Sequence, residues 1–387
     1  MKLLGYRREN GTFGIRNHLL VIPTSVCASD TAAKIAAQVR GAVSIPNQHG
    51  CCQIGSDLHL TESTLAGFGK NANVGAVLVV SLGCDGIVAK RLADEIATTG
   101  KSVEYIVIQE NKGTLNTIAK GAEILRRQAQ KLSMQQREEF DMSHLIVGLE
   151  CGGSDPTSGL ASNPSIGVAS DTVIDNGGST ILSETTEVIG AEHILAERFG
   201  DEKEREKFLK FVNNVEQRAL DMGEDLRSGQ PTPGNKEGGL STIEEKSLGC
   251  MYKAGHKPFV GALGYAEMVD TNKKGLYFMD TPGQDIDSIT GMIAGGAQVI
   301  IFSTGRGTPT GSPISPVIKI TGNPDTYENM SDNIDLNAGR VISEGITIDE
   351  MGKELFDEIV KVSNGKFTKS ESLGHKEFGI YKIAGTF

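Results

Sequence analysis

The stretch Val77-Leu78-Val79-Val80-Ser81-Leu82-Gly83-Cys84-Asp85 decides the fold class of this chain. Its four leading apolar residues do not alternate with polar ones, which is typical of a strand that is buried on both faces. Strands of this kind occur in parallel sheets that helices cover on each side. Glycine, cysteine and aspartate then follow at the carboxyl end of the strand, which is where open parallel sheets bind their ligands.

Short apolar runs alternate with longer amphipathic stretches through the first 185 residues and again after residue 240. The predicted strands are 18–25, 42–45, 75–81, 103–108, 144–149, 179–183, 276–279, 298–303 and 317–321. The predicted helices are 29–40, 60–71, 87–98, 114–131, 166–176, 285–295 and 350–362, with a charged helical stretch over 184–227. This pattern predicts the α/β class, with a Rossmann-like parallel sheet flanked by helices, in two α/β regions.

Residues 228–240 divide these regions, because they hold two prolines and four glycines in thirteen residues. The composition is that of a linker, although long irregular loops also occur at active sites. We therefore expect an N-terminal α/β region over 1–227, which carries cysteines at strand ends, and a C-terminal α/β region over 241–387. The C-terminal region carries a Gly-Arg-Gly loop.

Bulk properties exclude several classes of function. The net charge of −11 over 387 residues argues against binding to the phosphate backbone of a nucleic acid. No segment offers ~18 consecutive apolar residues, so we expect no membrane span. The amino terminus lacks the apolar region of a signal peptide, and the six cysteines lack paired CxxC spacing. We therefore expect a protein of the reducing cytoplasm.

Cysteines follow three of the predicted strands in the same way. Cys51, Cys84 and Cys151 each lie beside a glycine, and Cys27 near the end of the first strand is a fourth candidate. Thiols placed just past a strand, next to Gly, Asp and Glu, are candidate ligands for iron. The alternative is that each cysteine is a small buried hydrophobic residue.

Polar residues near these cysteines are candidate catalytic and binding groups. His49 lies two residues before the first of the three cysteines and could be a ligand, a proton carrier or a structural histidine. Glu150 ends a buried strand and could hold a cation or abstract a proton. Ser154 and Asp155 follow a pair of glycines that lets backbone N–H groups approach a ligand.

A second glycine-rich loop, Thr304-Gly305-Arg306-Gly307-Thr308, follows the predicted strand 298–303. Hydroxyls and one arginine just past a strand predict that Arg306, Thr304 and Thr308 bind a substrate carboxylate. A plain Pro/Gly loop is the alternative. The chain has no Walker A loop and no GxGxxG in a strand–turn–helix context, which makes a nucleotide-dependent enzyme the weaker hypothesis.

These motifs, with others in order along the chain, resemble the altronate/galactarate dehydratase family. The matching pieces are Gly5-Tyr6-Arg7-Arg8-Glu9-Asn10-Gly11, Gly14-Ile15-Arg16-Asn17, Leu82-Gly83-Cys84, Cys151-Gly152-Gly153-Ser154-Asp155, Asn163-Pro164, Thr242-Ile243-Glu244-Glu245-Lys246, Met279-Asp280-Thr281-Pro282-Gly283 and Thr304-Gly305-Arg306-Gly307-Thr308-Pro309. The resemblance implies a lyase that dehydrates a hydroxylated sugar acid to a 2-keto-3-deoxy acid, with dependence on iron and a Rossmann-like core.

The resemblance also leaves two alternatives open. Relatives that act on sulfolactate and release sulfite resemble this chain too, so it is alternatively the large subunit of a (2R)-sulfolactate sulfo-lyase. Full-length dehydratases of the family begin with a small SAF domain, whereas this sequence begins at the motif that starts with Gly5. We therefore expect a separate small SAF-domain subunit, and a non-catalytic chain that needs this partner is the second alternative.

The chemistry of dehydration fits these residue types. The reaction removes a proton α to a carboxylate and expels a β-hydroxyl, and a cation assists both events. We therefore predict that Cys51, Cys84 and Cys151 bind iron, as Fe²⁺ or as a three-cysteine iron–sulfur cluster. His49 and Glu150 are the candidate bases, the substrate is a small hydroxy acid, and we expect a homo-oligomer.

Overall fold

Two parallel sheets carry the fold in the computed structural model, which describes residues 1–387. The strands are β1 (Lys2–Arg7), β2 (Phe13–Gly14), β3 (His18–Pro23), β4 (Ala42–Ser44), β5 (Val74–Ser81), β6 (Ser102–Val107), β7 (Glu138–Asp141), β8 (Ile146–Cys151), β9 (Ser179–Leu182), β10 (Phe259–Leu263), β11 (Leu276–Met279), β12 (Val299–Ser303), β13 (Val317–Thr321) and β14 (Leu336–Asn337). One sheet has four strands in the order β4-β3-β5-β6, and the other has seven in the order β10-β11-β9-β8-β12-β13-β14. All neighbouring strands within these two sheets are parallel. The predicted α/β class with parallel sheets is therefore confirmed.

Helices cover both sheets. They are α1 (Val26–Ala36), α2 (Gly55–Lys70), α3 (Ala89–Ala97), α4 (Thr114–Leu132), α5 (Asn163–Asp175), α6 (Glu192–Ala196), α7 (Glu202–Asp221), α8 (Leu226–Gly229), α9 (Pro233–Glu237), α10 (Ile243–Met251), α11 (Asp285–Ala294), α12 (Pro324–Asn329), α13 (Arg340–Ser343), α14 (Ile348–Ser363) and α15 (Lys369–Leu373). All eight residues of β5 and all six of β8 are buried, as their unbroken apolar runs predict. None of the helices combines the length and the apolar character that a membrane span requires.

One layer of helices lies between the two sheets. Side chains of β3 and β5 share a hydrophobic core with side chains of β8, β11 and β12, and the helices α2, α3 and α11 contribute to it. The helices α2 and α11 cross closely at Gly67, where an added Cβ would lie 2.4 Å from the carbonyl oxygen of Ala294. The outer face of the four-stranded sheet packs on α1 and α4, and that of the seven-stranded sheet on α5 and α14.

The segment 228–240 does not lie between the two sheets. The strands β8 and β9 precede it and β10 to β14 follow it, yet all seven belong to one sheet. It contains α9 and packs on the loop that follows β8, where Asn235 Oδ1 accepts a hydrogen bond of 3.0 Å from the backbone N–H of Ser154. The chain passes from one parallel sheet to the other through β7, which pairs with β1 in a small antiparallel sheet.

Candidate functional site

Acidic and thiol side chains gather at the carboxyl ends of strands in the seven-stranded sheet. Two groups of three have their ligand atoms within 4.8 Å of one another, and we call the two groups together the acid–thiol cluster. The thiol set is Cys151, Glu187 and Cys250, and the acid triad is Glu150, Glu184 and Asp285. Five of the six residues are buried, and Asp285 is partly exposed.

Strand ends and helix starts place the acid triad. Glu150 is the penultimate residue of β8, Glu184 follows β9, and Asp285 begins α11. Glu184 has a φ of 69°, a left-handed conformation that is uncommon for a residue other than glycine. In this conformation its Oε2 atom accepts a hydrogen bond of 2.8 Å from the backbone N–H of Cys151.

Two lysines on the chain around α10 face the cluster. Lys246, Cys250 and Lys253 follow the spacing i, i+4, i+7, which places them on one helical face. The Nζ atom of Lys246 lies 2.6 Å from Glu187 Oε1. Lys253 is fully buried, and its Nζ atom has no hydrogen-bond partner but lies 3.8 Å from Glu184 Oε2.

Burial and like charges shift the pKa values of the cluster. Burial, followed by the charge of Asp285, raises the pKa of Glu150 well above its ordinary value, and burial with the charge of Glu150 does the same for Glu184. Burial and the charge of Cys151 raise the pKa of Asp285 to about 6. A hydrogen bond from Cys250, aided by the charge of Lys253, lowers the pKa of Cys151, so its thiolate is favoured.

A cavity of about 260 Å³ opens beside the thiol set, and we call it the Lys246 cavity. Its lining includes Ser154, Asp155, Asn163, Glu245 and Lys246, which come from three of the motifs quoted above. A larger cavity of about 520 Å³ lies between α2, α7 and the loop after β11, and its lining includes Arg218, Tyr381 and residues 280–283 of a fourth motif. Both cavities therefore border the carboxyl end of the seven-stranded sheet.

The predicted binding residues Ser154 and Asp155 line the Lys246 cavity. The Oγ atom of Ser154 lies 3.3 Å from Cys151 Sγ. The carboxylate of Asp155 accepts hydrogen bonds from the Thr157 hydroxyl, the Ser158 backbone and the Asn323 amide. These three bonds occupy the carboxylate, which therefore holds its own loop in place.

The predicted binding residues Thr304, Arg306 and Thr308 lie on the loop after β12, and none of them lines either cavity. The loop packs on Gly153, whose carbonyl oxygen accepts hydrogen bonds from the backbone of Gly305 and Arg306. Thr304 accepts a bond from the backbone of Gly307, and Thr308 bonds to another threonine hydroxyl. The Arg306 side chain is exposed.

The three cysteines predicted to share iron do not come together. Cys51 and Cys84 lie at the carboxyl end of the four-stranded sheet, whereas Cys151 ends β8 of the seven-stranded sheet. Cys151 is grouped with Cys250 and Glu187, and neither of the other two thiols belongs to that group. The reason is that both sheets are parallel: β4 and β5, which precede Cys51 and Cys84, lie in one sheet, and β8, which ends at Cys151, lies in the other.

The predicted bases also lie apart. His49 lies after β4, and its Nε2 atom is 3.2 Å from the carbonyl oxygen of Ile380 in the C-terminal tail. Glu150 is in the acid triad, where its Oε2 atom accepts hydrogen bonds from Ser183 and Ser288 and its Oε1 atom has no partner. Only Glu150 therefore lies at the acid–thiol cluster.

Sequence reasoning did not identify Glu187, Lys246, Cys250, Lys253 or Asp285 as site residues. The quoted motif Thr242-Ile243-Glu244-Glu245-Lys246 contained one of them. The spacing of Lys246, Cys250 and Lys253 was the available signal, because two cations and a thiol on one helical face are unusual next to a buried surface.

Two family models match the chain, one over the part with the four-stranded sheet and one over the part with the seven-stranded sheet. Residues 5–133 match the family model described as D-galactarate dehydratase/altronate hydrolase, second domain. Residues 142–386 match the model described as D-galactarate/altronate dehydratase, C-terminal. The chain belongs to the D-galactarate/altronate dehydratase family. The two family models meet between the four-stranded and the seven-stranded sheet, and the predicted resemblance is confirmed.

Individual members of the D-galactarate/altronate dehydratase family match over nearly the whole chain. The (2R)-sulfolactate sulfo-lyase subunit beta of Chromohalobacter salexigens is 39% identical, over 98% of this chain and 97% of the relative. The altronate dehydratase of Bacillus subtilis is 34% identical, over 99% of this chain and 78% of the relative. The altronate dehydratase of Escherichia coli is 35% identical, over 98% of this chain and 78% of the relative.

Proposed function

We propose that the chain is a lyase that dehydrates a sugar acid of the altronate or galactarate type to a 2-keto-3-deoxy acid at the acid–thiol cluster. The observation that carries the proposal is the Lys246 cavity, whose lining lysine forms an ion pair with the buried acid Glu187. Three motifs of the D-galactarate/altronate dehydratase family line this cavity, so substrate binding there accounts for residues that are far apart in sequence.

Two groups in the cavity suit a hydroxylated acid. Lys246 supplies a positive charge for a carboxylate of the substrate. The buried Oδ1 atom of Asn163 has no hydrogen-bond partner, while its amide nitrogen donates to the carbonyl oxygen of Gly249. The amide is thereby oriented so that its free oxygen can accept a hydrogen bond from a substrate hydroxyl.

Glu187 is the proposed base. Its Oε1 atom is paired with Lys246, and its buried Oε2 atom has no partner. Burial raises the pKa of Glu187, and a carboxylate with a raised pKa is a stronger base for a proton α to a carboxylate. The proton would be held at Oε2, beside the ion pair with the cavity-lining Lys246, whereas Glu150 has its Oε2 atom occupied by two hydroxyls.

The acid triad fits a divalent cation such as Fe²⁺. In the thiol set, the charges of Cys151 and Glu187 face the two ammonium groups of Lys246 and Lys253. The triad has three carboxyl groups and only one lysine near it, and the buried Oε1 atom of Glu150 has no partner. Glu150, Glu184 and Asp285 would therefore hold the ion, which when bound supplies Lewis-acid assistance to the departing hydroxyl group.

Turnover of a panel of acids tests the proposal. The purified chain, reconstituted anaerobically with Fe²⁺, is assayed with altronate, galactarate and sulfolactate, both alone and with a small SAF-domain subunit. We expect a 2-keto-3-deoxy acid from a sugar acid. Failure to convert any of the acids under every one of these conditions would sink the proposal.

Variants locate the reaction. Glu187→Gln should lower kcat by about a hundredfold or more, the usual contribution of a general base. Glu244→Gln, an exposed carboxyl in the same region, is the matched control. Lys246→Met should raise KM, whereas Arg218→Met should leave KM unchanged. The reverse result would mean that the substrate binds in the larger cavity. Glu184→Gln should lower bound iron, measured by elemental analysis.

A second candidate function is release of sulfite from sulfolactate. The Chromohalobacter relative matches over 97% of its own length, compared with 78% for the altronate dehydratases. Because that relative is a subunit beta, this candidate also implies a separate partner subunit. Formation of sulfite, measured in the same assay, distinguishes this candidate from dehydration. Activity that is seen only after addition of the small subunit would show that the chain needs its partner.

Two predictions from the sequence stay predictions. One is that Arg306, Thr304 and Thr308 bind the substrate, which Arg306→Ala tests through KM. The other is that Cys51, Cys84 and Cys151 bind iron, although the structure groups Cys151 with other residues than Cys51 and Cys84, and iron analysis of Cys151→Ser and Cys84→Ser tests it. A single shared site requires both variants to lose the same iron.

A further inference from the structure

Four thiols lie outside the acid–thiol cluster, at the carboxyl end of the four-stranded sheet. They are Cys27, Cys51, Cys52 and Cys84, and we call them the thiol quartet. Cys27 is the second residue of α1, just after the loop that follows β3, Cys51 and Cys52 follow β4, and Cys84 follows β5. Cys51 is partly exposed and the other three are exposed, so no packing role accounts for any of them.

Hydrogen bonds tie the three loops of the quartet to one another. The backbone N–H of Val26 donates to the carbonyl oxygen of His49 at 2.9 Å, which joins the first loop to the second. The backbone N–H of Gly86 donates to the carbonyl oxygen of Gly50, also at 2.9 Å, which joins the third loop to the second. These bonds hold the three cysteine-bearing segments against one another.

Asp85 fixes the first and third loops further. Its carboxylate accepts hydrogen bonds of 2.6 Å from each of the hydroxyls of Thr24, Ser25 and Ser81, and one of 2.8 Å from the backbone N–H of Leu82. A carboxylate with four donors is fully occupied. It serves to hold two cysteine-bearing loops together and has no free oxygen for a ligand.

The second loop presses against the end of β3. Gly50 has a φ of 89°, and an added Cβ there would lie 1.9 Å from the carbonyl oxygen of Thr24. Cys52 is also left-handed, with a φ of 55°. This turn leaves the Sγ atoms of Cys51 and Cys52 3.7 Å apart. The pKa of Cys51 is raised by its hydrogen bond with Cys52 and then by the charges of the other quartet thiols, in agreement with their proximity.

We propose that the thiol quartet binds an iron–sulfur cluster, a site separate from the acid triad and beyond the proposed dehydration. A single tetrahedral metal ion with bonds of ~2.3 Å needs its sulfurs about 3.8 Å apart. The Cys51–Cys52 pair meets this spacing, but no three sulfurs of the quartet lie within 4.8 Å of one another, because the two groups of three that do are both in the acid–thiol cluster. A wider spacing between the sulfur atoms fits an iron–sulfur cluster, which is bound by cysteine thiolates from several segments of the chain.

Metal and sulfide analysis tests the site without reference to turnover. The full chain is reconstituted anaerobically with Fe²⁺ and sulfide, and iron, acid-labile sulfide and visible absorption are measured. We expect sulfide and thiolate-to-iron absorption in the wild type, and loss of both to background in Cys27→Ser/Cys84→Ser. Glu184→Gln is the matched control, which should keep its sulfide while it loses the iron of the acid triad.

Alkylation of the wild type provides a measurement that needs no variant. Iodoacetamide should modify Cys27, Cys51, Cys52 and Cys84 in the metal-free chain and leave them protected after reconstitution, as read by peptide mass spectrometry. A wild type without acid-labile sulfide would overturn the proposal, and so would equal alkylation in both states or sulfide retained in the double variant. A disulfide between Cys51 and Cys52 after reconstitution would overturn it as well.

Discussion

The Nζ atom of Lys253 lies 3.8 Å from Glu184 Oε2, and both side chains are at most 1% exposed. The ammonium group has no hydrogen bond, so its stabilisation comes first from the negative charge of the Cys151 thiolate and then from that of Glu184. This arrangement makes the lysine a counter-charge for the cluster, in a place where water cannot take its role.

Lys253→Met should therefore lower the free energy of unfolding by about 3–5 kcal/mol, the range for removal of one partner from a buried ion pair. It should also raise the pKa of Cys151, because the charge of Lys253 is among the causes that lower it. Denaturant unfolding measures the first effect and the pH dependence of Cys151 alkylation the second. Lys210→Met, at an exposed position of α7, is the control. Equal stability of the two variants would contradict the counter-charge role.

Asp85→Asn should lower stability by about 2 kcal/mol, the scale of hydrogen bonds to a charged group. Burial opposes ionisation of Asp85, but bonds from Ser25, Ser81 and Thr24 outweigh it and lower its pKa below the ordinary 3.8. This stabilisation is fully present above that value and is lost as the pH falls through the lower pKa of the folded state. The stability difference between wild type and variant, measured by urea unfolding at several pH values, should shrink in acid. Asp94→Asn, whose side chain is 64% exposed, should show no comparable difference.

Gly67→Ala should lower stability by about 1–3 kcal/mol, the usual cost of overpacking. The added methyl group would meet the backbone of Ala294 where α2 crosses α11, so the two helices would have to move apart. Gly55→Ala, in the same helix, is the matched control because an added Cβ there meets nothing within 4 Å. Thermal unfolding compares the two variants, and equal melting temperatures would mean that the crossing tolerates the extra atom.

Asn235→Ala should loosen the segment 228–240 from the loop after β8. The variant leaves the buried N–H of Ser154 without an acceptor, which costs about 1–3 kcal/mol. Limited proteolysis within 228–240 should become faster than in the wild type, and KM should rise because Ser154 lines the Lys246 cavity. Lys236→Ala, at the exposed neighbouring position, should change neither quantity.

The strands that could be predicted are those whose signal is local. Residues 75–81 and 144–149 have unbroken apolar runs, and β5 and β8 lie there. The strands β1 and β7 went unpredicted, because Lys2–Arg7 contains a glycine and charged ends and its partner Glu138–Asp141 is almost entirely acidic. Their pairing joins residues more than a hundred positions apart, which no local pattern shows.

The residues of the candidate site also divide into those with a local sequence signal and those without one. Glu150 and Cys151 could be found, since a glycine-rich turn after a buried strand is visible in sequence. Their neighbours Cys250 and Lys253 could not, because α10 reaches β8 only through folding. Cys84 and Cys151 looked alike for a related reason: burial on both faces shows that a strand is in a parallel sheet, and does not show in which one.

The strand order of the seven-stranded sheet also bears on how the chain is made. β8 has β9 on one side and β12 on the other, and β12 ends at Ser303, about 150 residues after β8. During synthesis, one edge of β8 therefore has no strand to pair with until most of the polypeptide has left the ribosome. Unpaired edges of apolar strands promote aggregation. Expression yield should accordingly depend on chaperones that shield the nascent polypeptide over this interval.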